Sequence, residues 1–382
     1  MTISAIAFDW GNTLMRVLPE YSGVMADWPR VEAVPGAEPA LSALAPRARL
    51  VVATNAADSN AEQVMRALAR VGLDAHLERV YTMHELGARK PAAAFFGTLA
   101  QQLGLPAHQL MMVGDEYLAD IVGAQRLGWR TVWLNPSGLT APGLLPLQDA
   151  EITSLAELPA LLDDLSLPGY ADCLAWLTEL NNPAILLAHV QGVAALSYGM
   201  AVWLRAAGLT VNPLLAHRGG LLHDLSKLSA DGHQHHGEAA AVWLEAHQQP
   251  ILAEIARRHM LFGLLNPPEA PQTWEEKIVY YADKLVEGSK LVGVPARLKA
   301  LQQRYGTITP ARLAQLMPAL NTLEAELCAR YGTITPARLA QLMPALNTLE
   351  AELCAPLGLT PEGLLERLQQ AYGHYLPTAR TN

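Results

Sequence analysis

Short apolar runs alternate with amphipathic stretches over the first 165 or so residues. SAIAF (4–8), RLVVAT (49–54), LMMVG (110–114) and TVWLN (131–135) have the length and composition of strands. The segments between them carry helical periodicity. Alternation of this kind predicts an α/β domain with a Rossmann-like parallel sheet, spanning residues 1–166. Such sheets bind ligands at the carboxyl ends of their strands, and three of these runs end at Asp9, Thr54 and Asp115. Beyond the linker-like LSLPGY around Pro168 the pattern is helical, with no convincing alternating strand. It predicts an all-α domain over 171–305 and a helical C-terminal tail over 306–382.

The segment from Ala184 to Leu204 has no formally charged residue in 21 positions, long enough to cross a bilayer. It contains His189, Gln191 and Ser197, which favours a buried core helix and leaves a membrane span as the lesser alternative. The tail carries a repeat: RYGTITPARLAQLMPALNTLEAELCA occupies 304–329 and recurs unchanged at 330–355. Thr309-Pro310 and Thr335-Pro336 suit helix starts, whereas Pro318 and Pro344 are expected to kink or break the helices. Complete identity implies a recent in-frame duplication or an assembly artefact, and an extra helical pair without chemistry of its own.

Composition narrows the function. The chain has 382 residues, 51% apolar and 16% charged, with a net charge of -9. It lacks the basic footprint of a nucleic-acid binder, and a small anionic substrate needs metal ions or local cations. Cys173, Cys328 and Cys354 show no paired spacing, which predicts a reduced, cytoplasmic protein. The start runs into a strand without the pattern of a signal peptide. Neither a nucleic-acid nor a membrane partner is expected, and oligomeric state is left open.

FDWGNTL, VVATN, GARKP and VGDEYLAD, in that order, resemble the four motifs of the haloacid dehalogenase superfamily. The resemblance implies that Asp9 is the nucleophile and that Thr54 and Lys90 hold the transferring phosphoryl group. It also implies that Asp9, Asp115 and Asp120 bind Mg²⁺. Charge balance supports these roles, because a carboxylate attacks phosphorus only where cations offset the repulsion. One position departs from the family's phosphatases: the second Asp of motif one, their general acid and base, is Gly11 here. Loss of such a group costs about 10²–10⁴-fold, most heavily for alkyl esters and least for acyl phosphates or phosphoanhydrides. Asn12 and Glu116 are candidates to substitute in part. The short interval after motif one implies a small cap or none.

Eight of the twelve histidines lie between His189 and His259, a bias that favours a metal site. His189, His223-Asp224 in LLHDLSK, His236, His259 and Asp283 in YYADKLV resemble the HD superfamily of metal-dependent phosphohydrolases. By that resemblance His189, His223, Asp224 and Asp283 hold one metal, and His236 and His259 supply a second. His233 and His235 remain alternatives to His236. Mixed imidazole and carboxylate ligands suit Mn, Fe, Co or Zn. Lys227, one turn beyond His223 on the same helix face, is placed to meet a phosphate oxygen. The bland alternatives are a core role for His189 and a surface ion pair of Asp283 with Lys284 or Arg297. His217 and His247 are read as structural.

The expected function is metal-dependent hydrolysis of a nucleotide or small phosphorylated metabolite, mainly in the HD domain. Two alternatives stand beside it. The front domain is a phosphoryl-ligand sensor, or it is the main phosphatase and the HD domain is structural.

Overall fold

The computed structural model describes residues 3–162, 165–228, 236–305 and 309–328. They belong to two compact units, one formed by residues up to 139 together with 147–165, the other by 140–146 together with the chain from 166 onward. The second repeat copy and the remaining tail, 330–382, lie outside the described residues, as do His233 and His235.

The first unit is built on strands β1 (Ala5–Phe8), β2 (Arg49–Thr54), β3 (Arg79–Thr82), β4 (Leu110–Gly114), β5 (Arg130–Leu134) and β6 (Ala150–Ile152). They form one sheet of order β3-β2-β1-β4-β5-β6, and every pairing is parallel. Around it run α1 (Ala37–Leu44), α2 (Ala61–Ala69), α3 (Met83–Leu86), α4 (Ala93–Leu103), α5 (Gly123–Gln125) and α6 (Leu158–Leu161). β1 is buried on both faces: Ile6 and Phe8 join one core with Val52, Val113, Leu41 and Val64, and Ala5 and Ala7 join a second with Val51, Met112, Phe95 and Phe96. Burial on both faces explains why the central strands read as continuous apolar runs rather than alternating ones. The edge strands β3 (RVYT) and β6 (AEI) were not legible as strands. They are short, and Arg79 and Glu151 interrupt their apolar character.

Between β1 and α1 the described chain contains only the 3-10 turn Met25–Asp27, so nothing helical larger than that turn follows the first motif. The chain order reverses between β1 and β4, the crevice where sheets of this topology hold ligands.

The second unit consists of α7 (Tyr170–Glu179), α8 (Ala184–Ala206), α9 (Pro213–Leu222), α10 (His236–Ala246), α11 (Pro250–Arg258), α12 (Trp274–Asp283), α13 (Val294–Tyr305) and α14 (Pro310–Cys328). Contrary to expectation it also holds a hairpin, β7 (Val286–Glu287) with β8 (Lys290–Leu291), paired antiparallel. Two-residue strands are too short for an alternating pattern to register. Helix α8 has the length and hydropathy of a membrane span, yet 72% of its apolar window is buried. Its packing on α9 is close because position 220 is Gly: a Cβ there would lie 2.6 Å from Ala194 Cα.

Helix α14 corrects a second expectation, since it continues through Pro318. Leu316, Leu320, Leu323 and Leu327 fall on one face and are at most 4% exposed. Burial of four leucines outweighs the roughly 3 kcal/mol an interior proline costs.

Candidate functional sites

In the first unit Asp9 follows β1, and its N–H donates to Val113 O on β4 (2.9 Å). Phe8 pairs with Val113 in the register of these neighbouring strands, so Asp9 and Asp115 leave the sheet side by side. Asp120 comes from the next segment, a π-helical turn over Tyr117–Val122. π-turns recur at functional sites because they re-aim a side chain within a helical segment. This one folds the Asp120 carboxylate back over Gly114, where a Cβ would sit 2.1 Å from Asp120 Oδ2. Only glycine fits there.

Lys90 joins the two acidic segments. Its Nζ donates to Asp9 Oδ1 and to Asp120 Oδ1, each at 2.6 Å. Its backbone is clamped by Asn55, whose Oδ1 accepts the Lys90 N–H (2.8 Å) and whose Nδ2 donates to Lys90 O (3.0 Å). Asp120 Oδ2 accepts the N–H of Glu116 (3.1 Å). Asp115 is held by the Thr13 hydroxyl, which donates to Oδ1 (2.9 Å), and by the Trp133 indole, which donates to its carbonyl (3.0 Å). Thr54 is buried at the end of β2, its Oγ1 accepting from Ala56 N (3.1 Å).

The electrostatics ask for a cation. One oxygen from each of Asp9, Asp115 and Asp120 lies within 4.8 Å of the others, three carboxylates against the single ammonium of Lys90. Burial works against the Lys90 charge, but Asp120 and Asp9 hold its pKa above the ordinary lysine value. Burial pushes Asp120 up to about 8 and Asp115 up to about 6, with Asp9 adding repulsion to both. A hard divalent ion such as Mg²⁺ fits this oxygen set and its excess negative charge. The Asn12 Oδ1 accepts the Val17 N–H (3.1 Å).

The second unit brings His189, His223, Asp224, His236, His259 and Asp283 together. His189 Nε2 is 3.0 Å from Asp283 Oδ1 and 3.8 Å from Asp224 Oδ2. His223 Nε2 is 3.5 Å from Asp224 Oδ2 and 3.7 Å from Asp283 Oδ1. On the other side of Asp224, Oδ1 faces His236 Nε2 at 3.1 Å and His259 Nε2 at 3.4 Å. Two overlapping groups result, His189–His223–Asp283 and His223–Asp224–His259.

Three of these imidazoles are oriented from behind. His223 Nδ1 meets Gly220 O at 2.8 Å, His259 Nδ1 meets Ala256 O at 2.5 Å, and His189 Nδ1 meets Gly288 O at 3.2 Å. A carbonyl only accepts, so each Nδ1 carries the proton and each Nε2 presents a lone pair inward. Backbone anchoring of this kind is how metal-ligating histidines are held. His223 Nε2 and Asp224 Oδ1 are fully buried and, among the described residues, have no hydrogen-bond partner of adequate geometry. Orphaned buried acceptors are costly, and lone pairs converging from imidazole and carboxylate fit a divalent transition metal.

Burial opposes the Asp224 charge, yet the positive charge of Lys227 helps to hold it well below the usual carboxylate range. Asp283 is likewise held low, by Lys284 above all, against its burial. Burial pushes His259 down to about 3, the neutral form that ligation requires. The ion pair foreseen for Asp283 exists, with Lys284 and, at 3.6 Å, with Arg297. All three side chains are buried, so it is part of the site rather than a surface bridge.

Lys227 is a correction. Helix α9 ends at Leu222, and residues 223–228 are turns. His223 N–H makes the last helical bond, to Gly219 O, after which Leu225 N–H and Lys227 N–H close tighter turns on Leu222 O and Asp224 O. Lys227 therefore shares no helix face with His223. The turn brings its Nζ to Asp224 Oδ2 at 2.5 Å. Thr13, Asn55 and Trp133 were missed by sequence reasoning, although Thr13 lies inside FDWGNTL and Asn55 inside VVATN; Lys284 was read only as a surface partner of Asp283.

Residues 4–134 match the family model described as haloacid dehalogenase-like hydrolase, and residues 186–287 match that described as HD domain. An uncharacterized protein of Methanocaldococcus jannaschii is 32% identical over 147 residues, 35% of this chain and 87% of that protein. The pyrimidine 5'-nucleotidase PynA of Streptococcus pneumoniae is 36% identical over 73 residues, 19% of this chain and 31% of its own. Human N-acylneuraminate-9-phosphatase is 29% identical over 126 residues, 33% of this chain and 50% of its own. The chain thus spans half or less of these two named enzymes.

Proposed function

Belonging to the haloacid dehalogenase-like hydrolases and carrying an HD domain behind that front unit, this chain is, we propose, a phosphohydrolase with two metal-dependent centres. The HD unit performs the main hydrolysis, on a nucleotide or another small phosphorylated metabolite. The observation that carries this reading is the set of inward-facing imidazole nitrogens around Asp224 and Asp283, anchored from behind by backbone carbonyls. His189, His223, Asp224 and Asp283 would hold one ion, and His236 with His259 would add ligands for a second. Bound there, Mn²⁺, Fe²⁺, Co²⁺ or Zn²⁺ polarises a phosphoryl oxygen and lowers the pKa of a water. The residues themselves fix the ligand tautomers and shield the centre from bulk water, and Lys227 adds positive charge beside Asp224.

In the front unit Asp9 is the nucleophile, and Lys90 offsets the charge that builds as its carboxylate approaches phosphorus. Asp115 and Asp120, with Asp9, would hold Mg²⁺. The names of two relatives of this chain, a pyrimidine 5'-nucleotidase and an N-acylneuraminate-9-phosphatase, support a small phosphate ester or anhydride as substrate class. Without an acid at position 11, acyl phosphates and phosphoanhydrides are favoured, because their leaving groups need no proton. Gly11 also supports a second reading, in which the front unit binds a phosphorylated ligand without turning it over and regulates the HD unit.

The experiment is a panel of nucleotides and phosphate esters with Mn²⁺ or Mg²⁺, comparing wild type, Asp9→Asn and His223→Asn. We expect the principal activity to survive Asp9→Asn and to fall at least 10²-fold in His223→Asn. The opposite pattern, in folded variants, overturns the assignment.

A further inference from the structure

We infer that Val17 is the specificity-determining residue of the front site: it stands where the missing acid would project and meets the substrate's leaving group. This rests on the reading of Asp9 as nucleophile and extends it to a residue that no sequence motif includes.

The loop after β1 is tightly wound. Leu14 N–H and Met15 N–H both bond to Trp10 O (3.0 and 2.9 Å), and Asn12 N–H bonds to Met15 O (2.7 Å). Asn12 adopts a positive φ of 55°, and its Oδ1 accepts the Val17 N–H at 3.1 Å. The turn delivers the Val17 side chain back to Gly11. Val17 Cγ2 lies 3.1 Å from the position a Cβ at residue 11 would take, and among the described residues it is the one contact there beyond Gly11's chain neighbours. Val17 is 47% exposed, an apolar side chain left facing outward beside Gly11, which lies two positions after the nucleophile. Gly11 has no positive φ, so its backbone accepts a side chain. A side chain at this position crowds Val17, which must give by a few tenths of an ångström to admit it.

The chemistry follows from the position. When an Asp9 oxygen bonds to phosphorus, the bond from phosphorus to the leaving oxygen breaks and its electron pair stays on that oxygen. An alkoxide needs a proton at that moment, and a valine methyl supplies none. A carboxylate or phosphate leaving group carries the pair unaided. An aryl group is accommodated too, since its apolar ring packs on the isopropyl group. The absence of a proton donor at position 11 disfavours alkoxides, and Val17 adds an apolar contact that favours apolar leaving groups.

The test uses the full chain with Mg²⁺ and three substrates: acetyl phosphate, p-nitrophenyl phosphate and glycerol phosphate. The variants are Gly11→Asp, Val17→Ala and the double variant, each also measured with Asp9→Asn as the background control. We expect Asp9-dependent glycerol phosphate hydrolysis to be severalfold faster in the double variant than in Gly11→Asp alone, because the Val17 methyl that crowds a Cβ at position 11 is then gone. Val17→Ala alone raises KM for p-nitrophenyl phosphate and leaves that for acetyl phosphate unchanged. Equal rates in the single and double variants, no gain in either, or an unmoved KM for p-nitrophenyl phosphate each overturn the role of Val17. If wild type shows no Asp9-dependent turnover of any substrate, the catalytic reading of the front unit fails by itself. The rate ratio between Gly11→Asp and the double variant still decides whether Val17 crowds the acid position.

Discussion

Gly114→Ala tests the front site through a single methyl group. The added Cβ would lie 2.1 Å from Asp120 Oδ2, 2.3 Å from Cγ and 2.6 Å from Cβ. Ordinary contact needs about 3.5 Å, so the carboxylate must retreat by more than about 1 Å. Retreat breaks the 2.6 Å bond from Lys90 and the 3.1 Å bond from the Glu116 N–H. Hydrogen bonds to charged groups contribute about 1.5–3 kcal/mol each, and Lys90 keeps its bond to Asp9. A loss of about 2–4 kcal/mol of folding stability is expected. Mg²⁺ affinity should fall at least tenfold, and any Asp9-dependent turnover by about 10²-fold, the usual cost of a 1 Å misplacement. Denaturant unfolding and calorimetric Mg²⁺ titration read both effects. The decisive comparison is with Asp120→Gly, which removes the Cβ at 2.6 Å together with the carboxylate: in that background Gly114→Ala should cost less than about 1 kcal/mol more, the non-additivity expected of groups in contact. Wild-type stability and Mg²⁺ affinity in Gly114→Ala, or additive losses in the double variant, would refute the clash.

Three further outcomes are expected. His217 is fully buried and accepts a bond from Arg218 (2.8 Å), and burial holds its pKa well below the ordinary 6.5; the unfolded chain therefore binds a proton below pH 6.5 that the native state does not, and stability falls as pH drops, by up to about 1.4 kcal/mol per unit. His217→Gln should flatten the pH 7 to 5 stability curve by that slope, and parallel curves would count against it. Mn²⁺ at about a hundred times its Kd should stabilise the protein by about 2.7 kcal/mol, reversibly on chelation; His223→Asn should abolish the response, and an unchanged shift in that variant would remove His223 from the centre. Leu320→Ala, at a position 1% exposed on α14, should cost about 2–5 kcal/mol, and a cost under 0.5 would mean that this helix does not belong to the cooperative core.

The four central strands, the helical character of the second unit and the order of both motif sets were legible in the chain. Periodicity and strand length are local properties, and the motifs place acidic residues where strands end. Strands β3 and β6 were not legible, because an edge strand of three or four residues carries too little pattern. Pro318 misled, since a local breaker competes with four buried leucines whose packing no local rule reveals. Lys227 misled for a related reason: an apolar helical pattern does not say where the helix ends, and α9 ends just before the His-Asp pair.

By itself, then, the sequence determined which residue types lie on which segments, and hence the chemistry available to each unit. Tertiary structure alone decided which of them meet. Lys90 lies 81 residues from Asp9 and His189 lies 94 from Asp283, separations bridged only by sheet order and helix packing. The supporting groups, Thr13 and Trp133 on Asp115 and the carbonyls behind three imidazoles, act through contacts between segments distant in the chain or through backbone atoms that every residue shares. Neither leaves a mark in the sequence, because orientation is a property of the folded backbone.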